Sequence, residues 1–164
     1  MASTEPTSND ERWMRRALEL AHEAARQGEV PVGAVVVSAD GQELAAVANA
    51  VETLKDATAH AEILALREAA RRLGDWRLED CTLYVTKEPC AMCAGACVNC
   101  RIGTLVFGAA DPRMGAAGSA LSITDFPGML HRVSVRQGIC KEECLAVLQD
   151  FFRSRRSAKQ DTVS

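Results

Sequence analysis

The stretch Tyr84-Val85-Thr86-Lys87-Glu88-Pro89-Cys90-Ala91-Met92-Cys93 decides how this chain is built. Residues 81–86 are mostly apolar or β-branched and predict a strand. Pro89 then suits the first position of a helix, where its missing N–H costs nothing. That helix carries Cys90, Met92, Cys93 and Ala96. Further back, Thr58-Ala59-His60-Ala61-Glu62-Ile63 opens another helix, whose apolar positions Ile63, Leu64, Leu66 and Ala70 run towards a stop near Gly74.

The flanks extend the alternation. Asp10 is a candidate N-cap for a helix to about Gln27, with Trp13, Ala17, Leu20, Ala21 and Ala24 at helical spacing. Residues 32–37 read as a central strand, Asp40-Gly41 as a hairpin turn, and residues 43–49 as the antiparallel return. Residues 51–57 read as a loop. Residues 105–108 predict a fourth strand, and 133–136 a last one. Between them, 109–127 reads as a functional loop with a short helix. Residues 141–156 predict a final helix, apolar at Cys144, Leu145, Leu148, Phe151 and Phe152. Strands alternating with helices argue for a layered α/β domain.

At 164 residues the chain has room for one domain with a substantial core. The expected division is a disordered tail over 1–9, a single domain over 10–157 and a second disordered tail over 158–164. Hydrophobic residues make up 48% and charged residues 25%, an ordinary globular balance. No apolar run approaches the roughly 20 residues of a membrane span, and the polar start lacks the apolar core of a secretory signal. Cytoplasmic location is the expectation. The net charge of -3 argues against bulk nucleic-acid binding but allows a local basic patch. Seven cysteines, several clustered, read as metal ligands plus free thiols rather than a disulfide framework.

His60, Cys90 and Cys93 supply one imidazole and two thiolates, the three protein ligands of a catalytic zinc site that leaves a fourth position open. Cys90 and Cys93 share a helix face three residues apart, in a first turn whose dipole favours thiolate. Cys97 and Cys100 form a second Cys-x-x-Cys. Only Ala94, Gly95 and Ala96 separate the pairs, too few for a zinc ribbon, so Cys97 reads as a small core residue. Cys100 reads likewise, or as a helix end near a partner subunit. Cys81, Cys140 and Cys144 read as packing. Glu62, two residues after His60, could be an exposed helix carboxylate. Kept off the metal, it can instead move protons from an activated water to a ring nitrogen and a departing amine. His-x-Glu followed by Pro-Cys-x-x-Cys is the pattern of zinc-dependent nucleobase deaminases. The implied chemistry is hydrolytic deamination of an amino-substituted aromatic ring.

Beyond these motifs, the chain resembles the bacterial tRNA-specific adenosine deaminases, the TadA family. The resemblance runs through Glu29-Val30-Pro31-Val32-Gly33-Ala34-Val35, residues 58–66 and 80–86, Cys93-Ala94-Gly95-Ala96 and Arg101-Ile102-Gly103. It continues through Val106-Phe107-Gly108-Ala109, Gly115-Ala116-Ala117-Gly118-Ser119, Pro127-Gly128-Met129 and Phe151-Phe152-Arg153-Ser154-Arg155-Arg156. The zinc motifs alone are shared with cytidine, cytosine, guanine and deoxycytidylate deaminases; the flanking blocks and basic tail favour the tRNA enzymes. The resemblance implies a three-layer α/β/α cytidine-deaminase-like fold with a mixed, roughly five-stranded sheet. It also implies one zinc ion per subunit, a homodimer, and conversion of adenosine to inosine at the wobble position of a tRNA anticodon stem-loop. By the same match, Asn49, Pro31, Val32 and Ala61 belong to the base pocket, and Asp111, Arg113, Arg153, Arg155 and Arg156 to the RNA contacts. Departures from the family pattern stand at Ala50, Val51, Ala57, Lys87 and Leu130. A free nucleobase or nucleoside deaminase is the rival reading and would need no basic tail. A catalytically silent subunit would have lost a ligand or the glutamate, and this chain keeps all four residues.

Overall fold

The computed structural model describes residues 5–162. A mixed five-stranded sheet forms the middle layer, in the order β2-β1-β3-β4-β5. The strands are β1 (Gly33–Val37), β2 (Glu43–Ala48), β3 (Thr82–Lys87), β4 (Thr104–Ala109) and β5 (Ser134–Gln137). β1 pairs antiparallel with both β2 and β3. β3, β4 and β5 run parallel. The helices are α1 (Ser8–Arg26), α2 (Val51–Leu54), α3 (Ala61–Leu73), α4 (Ala91–Asn99) and α5 (Lys141–Asp161).

Both faces of the sheet are covered, as the largely apolar, buried central strands β1 and β4 require. The side-chain alternation of a strand splits the core in two. Ala34, Val36, Leu83, Val85, Leu105 and Phe107 face α3 and α4 in one cluster. Val35, Val37, Tyr84 and Val106 face α1 and α5 in the other. Gly33 marks the closest approach of helix to sheet, because a Cβ there would lie 2.0 Å from the carbonyl oxygen of Ala17.

Asp10 lies in α1, not ahead of it. The N-cap is Thr7, whose hydroxyl accepts from the Asp10 N–H while the Asp10 carboxylate accepts from the Thr7 N–H. That reciprocal capping box draws Ser8 and Asn9 out of the expected tail into the first turn. Asp10 also accepts from the Tyr84 hydroxyl at 3.0 Å and holds Arg136 through contacts of 2.7 and 2.8 Å, joining α1, β3 and β5. At the other end, α5 runs five residues beyond the expected Arg156, with no glycine or proline to stop it. Residues 1–4 and 163–164 of the expected tails lie outside the described residues. On α5, Cys144, Val147 and Leu148 are buried, whereas Leu145 and Phe152 are exposed.

Two loops also differ from expectation. Residues 51–54 are helical. Residues 110–127 contain no helix, only turns and an isolated bridge between Ala117 and Ser122. There the backbone N–H groups of Asp111, Ala117 and Ser119 turn inward to the buried Glu88 carboxylate, with the Ser119 hydroxyl donating as well. A helix would have claimed those donors for its own carbonyls. Gly115 sits so close that a Cβ would come within 2.4 Å of the Glu88 carboxyl carbon.

Candidate active site

The registers bring the far ends of several elements to one edge of the sheet. Gly33 opens β1 opposite Ala48, which closes β2, and Lys87 ends β3 beside Ala109, which ends β4. α3 and α4 start at the same edge. His60 is the N-cap of α3 and Cys90 the N-cap of α4, so the helix that Pro89 was expected to begin starts two residues later.

His60, Cys90 and Cys93 converge there. Their ligand atoms all lie within 4.8 Å of one another. His60 Nδ1 is 3.7 Å from Cys90 Sγ and 3.5 Å from Cys93 Sγ. A tetrahedral zinc with ordinary Zn–S and Zn–N bonds would separate nitrogen from sulfur by about 3.6 Å, so the donors already stand at the edge lengths of such a site. One imidazole and two sulfurs are also a donor set that suits zinc. Hydrogen bonds from Cys93 and His60 hold the Cys90 thiol down at about 3. Cys93 is pushed up by the adjacent Cys90 and by burial, and His60 is raised by its bond to Cys90. A cation held by these residues would displace the proton of any thiol it ligates. Cys97 is wholly buried, and Cys100 donates to the Cys97 carbonyl. Neither joins the cluster among the described residues.

Glu62 lies in the first turn of α3, buried, and outside the donor cluster. Burial pushes its carboxyl above the usual carboxylate range, against the opposing pull of its own backbone N–H, His60 and Cys93. A carboxyl outside the donor set and beside it can accept a proton and return it.

The cluster opens into a cleft of about 630 Å³. Its walls bring together Val32, Asn49, His60, Glu62, Cys90, Asp111, Arg155 and Arg156 from the residues singled out in the sequence. Pro31 is buried beside Val32 and Ala61 begins α3, but neither lines the cleft. Arg113 is exposed on the 110–120 loop, and Arg153 pairs with Asp150 on the outer side of α5; both stand off the cleft wall.

Lys159, at the basic end of the final helix, lines the wall with Arg155 and Arg156, whereas sequence reasoning assigned no role to two further wall residues, Glu29 and Glu88. Glu88 shapes the loop that carries Asp111. Glu29 is fully buried and accepts from the Glu52 and Thr53 N–H groups and the Thr53 hydroxyl, capping α2 from 23 residues away. Burial would raise its carboxyl, but those donors and the nearby Arg155 hold it below its ordinary value. Both lie in stretches that stand out in the sequence, but nothing local marks either carboxylate as buried, because its hydrogen-bond donors are distant in the chain. Arg155 donates to the Gly28 carbonyl and lies 4.8 Å over the Phe151 ring, which fixes α5 as a wall of the cleft.

The MafB19-like deaminase family model matches residues 8–156. A tRNA-specific adenosine deaminase of Bacillus subtilis is 44% identical over 153 residues, covering 93% of this chain and 94% of the relative. A solved structure from a study of A-to-I editing by tRNA:A34 deaminases superposes with a TM-score of 0.80 at 42% identity, over 84% of this chain and 99% of that one. A guanine deaminase from Nitrosomonas europaea superposes with a TM-score of 0.72 at 25% identity, over 86% of this chain and 83% of the other.

Proposed function

We propose, on the premise that this chain belongs to the tRNA-specific adenosine deaminase family, that it hydrolyses adenosine to inosine at the wobble position of a tRNA anticodon. The observation that carries this reading is one cleft whose floor holds a His/Cys/Cys donor cluster and a buried, unligated carboxylate, and whose wall holds Arg155, Arg156 and Lys159. A small-base deaminase has no use for a cationic wall on an acidic chain. A polyanionic substrate does.

His60, Cys90 and Cys93 would hold one zinc ion per subunit. When bound, zinc supplies the Lewis acidity that makes water a nucleophile near neutral pH. Glu62 takes a proton from the attacking water as its oxygen adds to C6 of the purine, and delivers it to the ring nitrogen. A second proton passed through Glu62 to the amino group lets ammonia leave, so adenosine and water become inosine and ammonia. Asn49, Pro31, Val32 and Ala61 form the base pocket and its backing in this reading. Asp111 and Arg113 contact the RNA backbone beside the target, and Arg153, Arg155 and Arg156 contact the stem-loop. The depth of the cluster requires the target base to be extruded from its stack.

The same reading includes a homodimer and a cytoplasmic site of action. For the first, the α3–α4 face offers an apolar groove lined by Ile63, Leu66, Ala96 and Cys100, with Trp76 half exposed beside it. For the second, no helix among the described residues is long and apolar enough to cross a membrane. Glu62→Gln tests the chemistry. It should keep metal and bind an anticodon stem-loop, yet form inosine several orders of magnitude more slowly. Loss of metal from the variant would give Glu62 a ligand's role and refute the assignment.

A further inference from the structure

Lys87 closes β3 immediately before Glu88-Pro89-Cys90, and its side chain lines the cleft beside His60 and Cys90. Among the described residues it is the only lysine or arginine on the cleft wall that does not come from α5. Its Nζ lies 3.1 Å from an Asp111 oxygen, with the Lys87 side chain 35% and the Asp111 side chain 15% exposed. The bland explanation is an ion pair that holds the 110–120 loop. That loop is already held. Glu88 accepts from Asp111, Ala117 and Ser119, and the other Asp111 oxygen accepts from the N–H groups of Arg113 and Met114 at 3.0 Å each. A part-exposed ion pair adds little to such a scaffold.

The charge around the donor cluster points elsewhere. Glu88 and Asp111, the two acidic residues that Lys87 adjoins in sequence or contacts, line the cleft with it, and uncompensated carboxylates there would repel a phosphodiester. An ammonium has three donors, and Asp111 occupies one. We propose that Lys87 is a substrate-binding residue, whose ammonium, oriented by Asp111, contacts a phosphate of the nucleotide entering the cleft. This rests on the nucleic-acid reading above and adds to it a phosphate contact from the end of β3, separate from those of α5.

The test compares wild type, Lys87→Met, Lys87→Arg and the Lys87→Met/Asp111→Asn double variant. The affinity of a labelled anticodon stem-loop is measured against salt, with metal content and thermal melting confirming that each variant is folded. Removing one ammonium–phosphate pair should flatten the log–log salt slope by about 0.7. Lys87→Met should show the flatter slope, with KM raised and kcat retained; the double variant should show the flatter slope as well, and Lys87→Arg should keep the wild-type slope. An unchanged slope in Lys87→Met overturns the proposal. So does recovery of the wild-type slope in the double variant, since Lys87 would then act only by neutralising Asp111. Inosine formation by the wild type is scored separately: its absence would refute the activity assigned above, while the slopes still decide whether Lys87 contacts phosphate.

Discussion

Replacing Glu29 with alanine tests how the rim of the cleft is held. The four-residue helix α2 has no buried residue, so its own packing contributes little. What fixes it is the Glu29 carboxylate, accepting from the Glu52 N–H at 2.9 Å, the Thr53 N–H at 2.7 Å and the Thr53 hydroxyl at 2.6 Å. Hydrogen bonds to a charged group contribute roughly 1.5–3 kcal/mol each. Glu52 and Thr53 are exposed and can turn to water once the carboxylate is gone, so the net loss is taken at the low end, about 2–3 kcal/mol for the two amides together. At 1.4 kcal/mol per tenfold, local opening of α2 becomes about 30- to 150-fold more frequent. Hydrogen exchange followed by NMR should show that loss of protection at Glu52 and Thr53, with β1 and β3 amides little changed. Glu29→Gln keeps an oxygen for part of the network and should lose roughly tenfold. Unaltered exchange at both amides in Glu29→Ala would refute the idea that this carboxylate anchors the segment following Asn49.

Three further outcomes follow from the same geometry. Cys90→Ser and Cys93→Ser should purify without stoichiometric metal while Cys97→Ser and Cys100→Ser retain it; an empty site in Cys97→Ser would contradict the donor set. Burial would raise the Asp10 carboxyl, but Arg136, Thr7 and Tyr84 hold it below its ordinary value. Its contribution to stability is therefore complete above the unfolded-state value near 3.9 and disappears as pH falls through the lower folded value. Asp10→Asn should lose about 3 kcal/mol or more at neutral pH and flatten the acid limb of the stability profile; an acid limb identical to wild type would show that Asp10 does not set it. Replacing Arg153, Arg156 and Lys159 together with glutamine, leaving Arg155 on the Gly28 carbonyl, should flatten the salt dependence of stem-loop binding by about 0.7 for each phosphate these side chains neutralise, and an unchanged slope would make these charges a solvated helix end.

The parts of this protein legible in its sequence are those set by local periodicity and by chemistry at fixed spacing. The stripe of α1 and the five strands follow from apolar patterning, and the donor cluster follows from His60, Cys90 and Cys93. What escaped was set by partners distant in sequence. α2 exists because Glu29 caps it from another part of the chain, and the 110–127 segment is not helical because Glu88 claims its amides. Lys87 stood out only as a departure from a family pattern, since its partner Asp111 lies on the next strand's loop. The N-cap at Thr7 was missed for a local reason: in a capping box the acidic residue sits inside the helix, three positions after the cap.

The most direct test of the central claim is to incubate the metal-loaded protein with an anticodon stem-loop carrying adenosine at the wobble position, and to quantify inosine by mass spectrometry of the digested RNA. The account predicts inosine at that position alone, abolished by metal removal and by Glu62→Gln. Intact adenosine in the stem-loop, together with turnover of free guanine or cytosine by the same preparation, would contradict it.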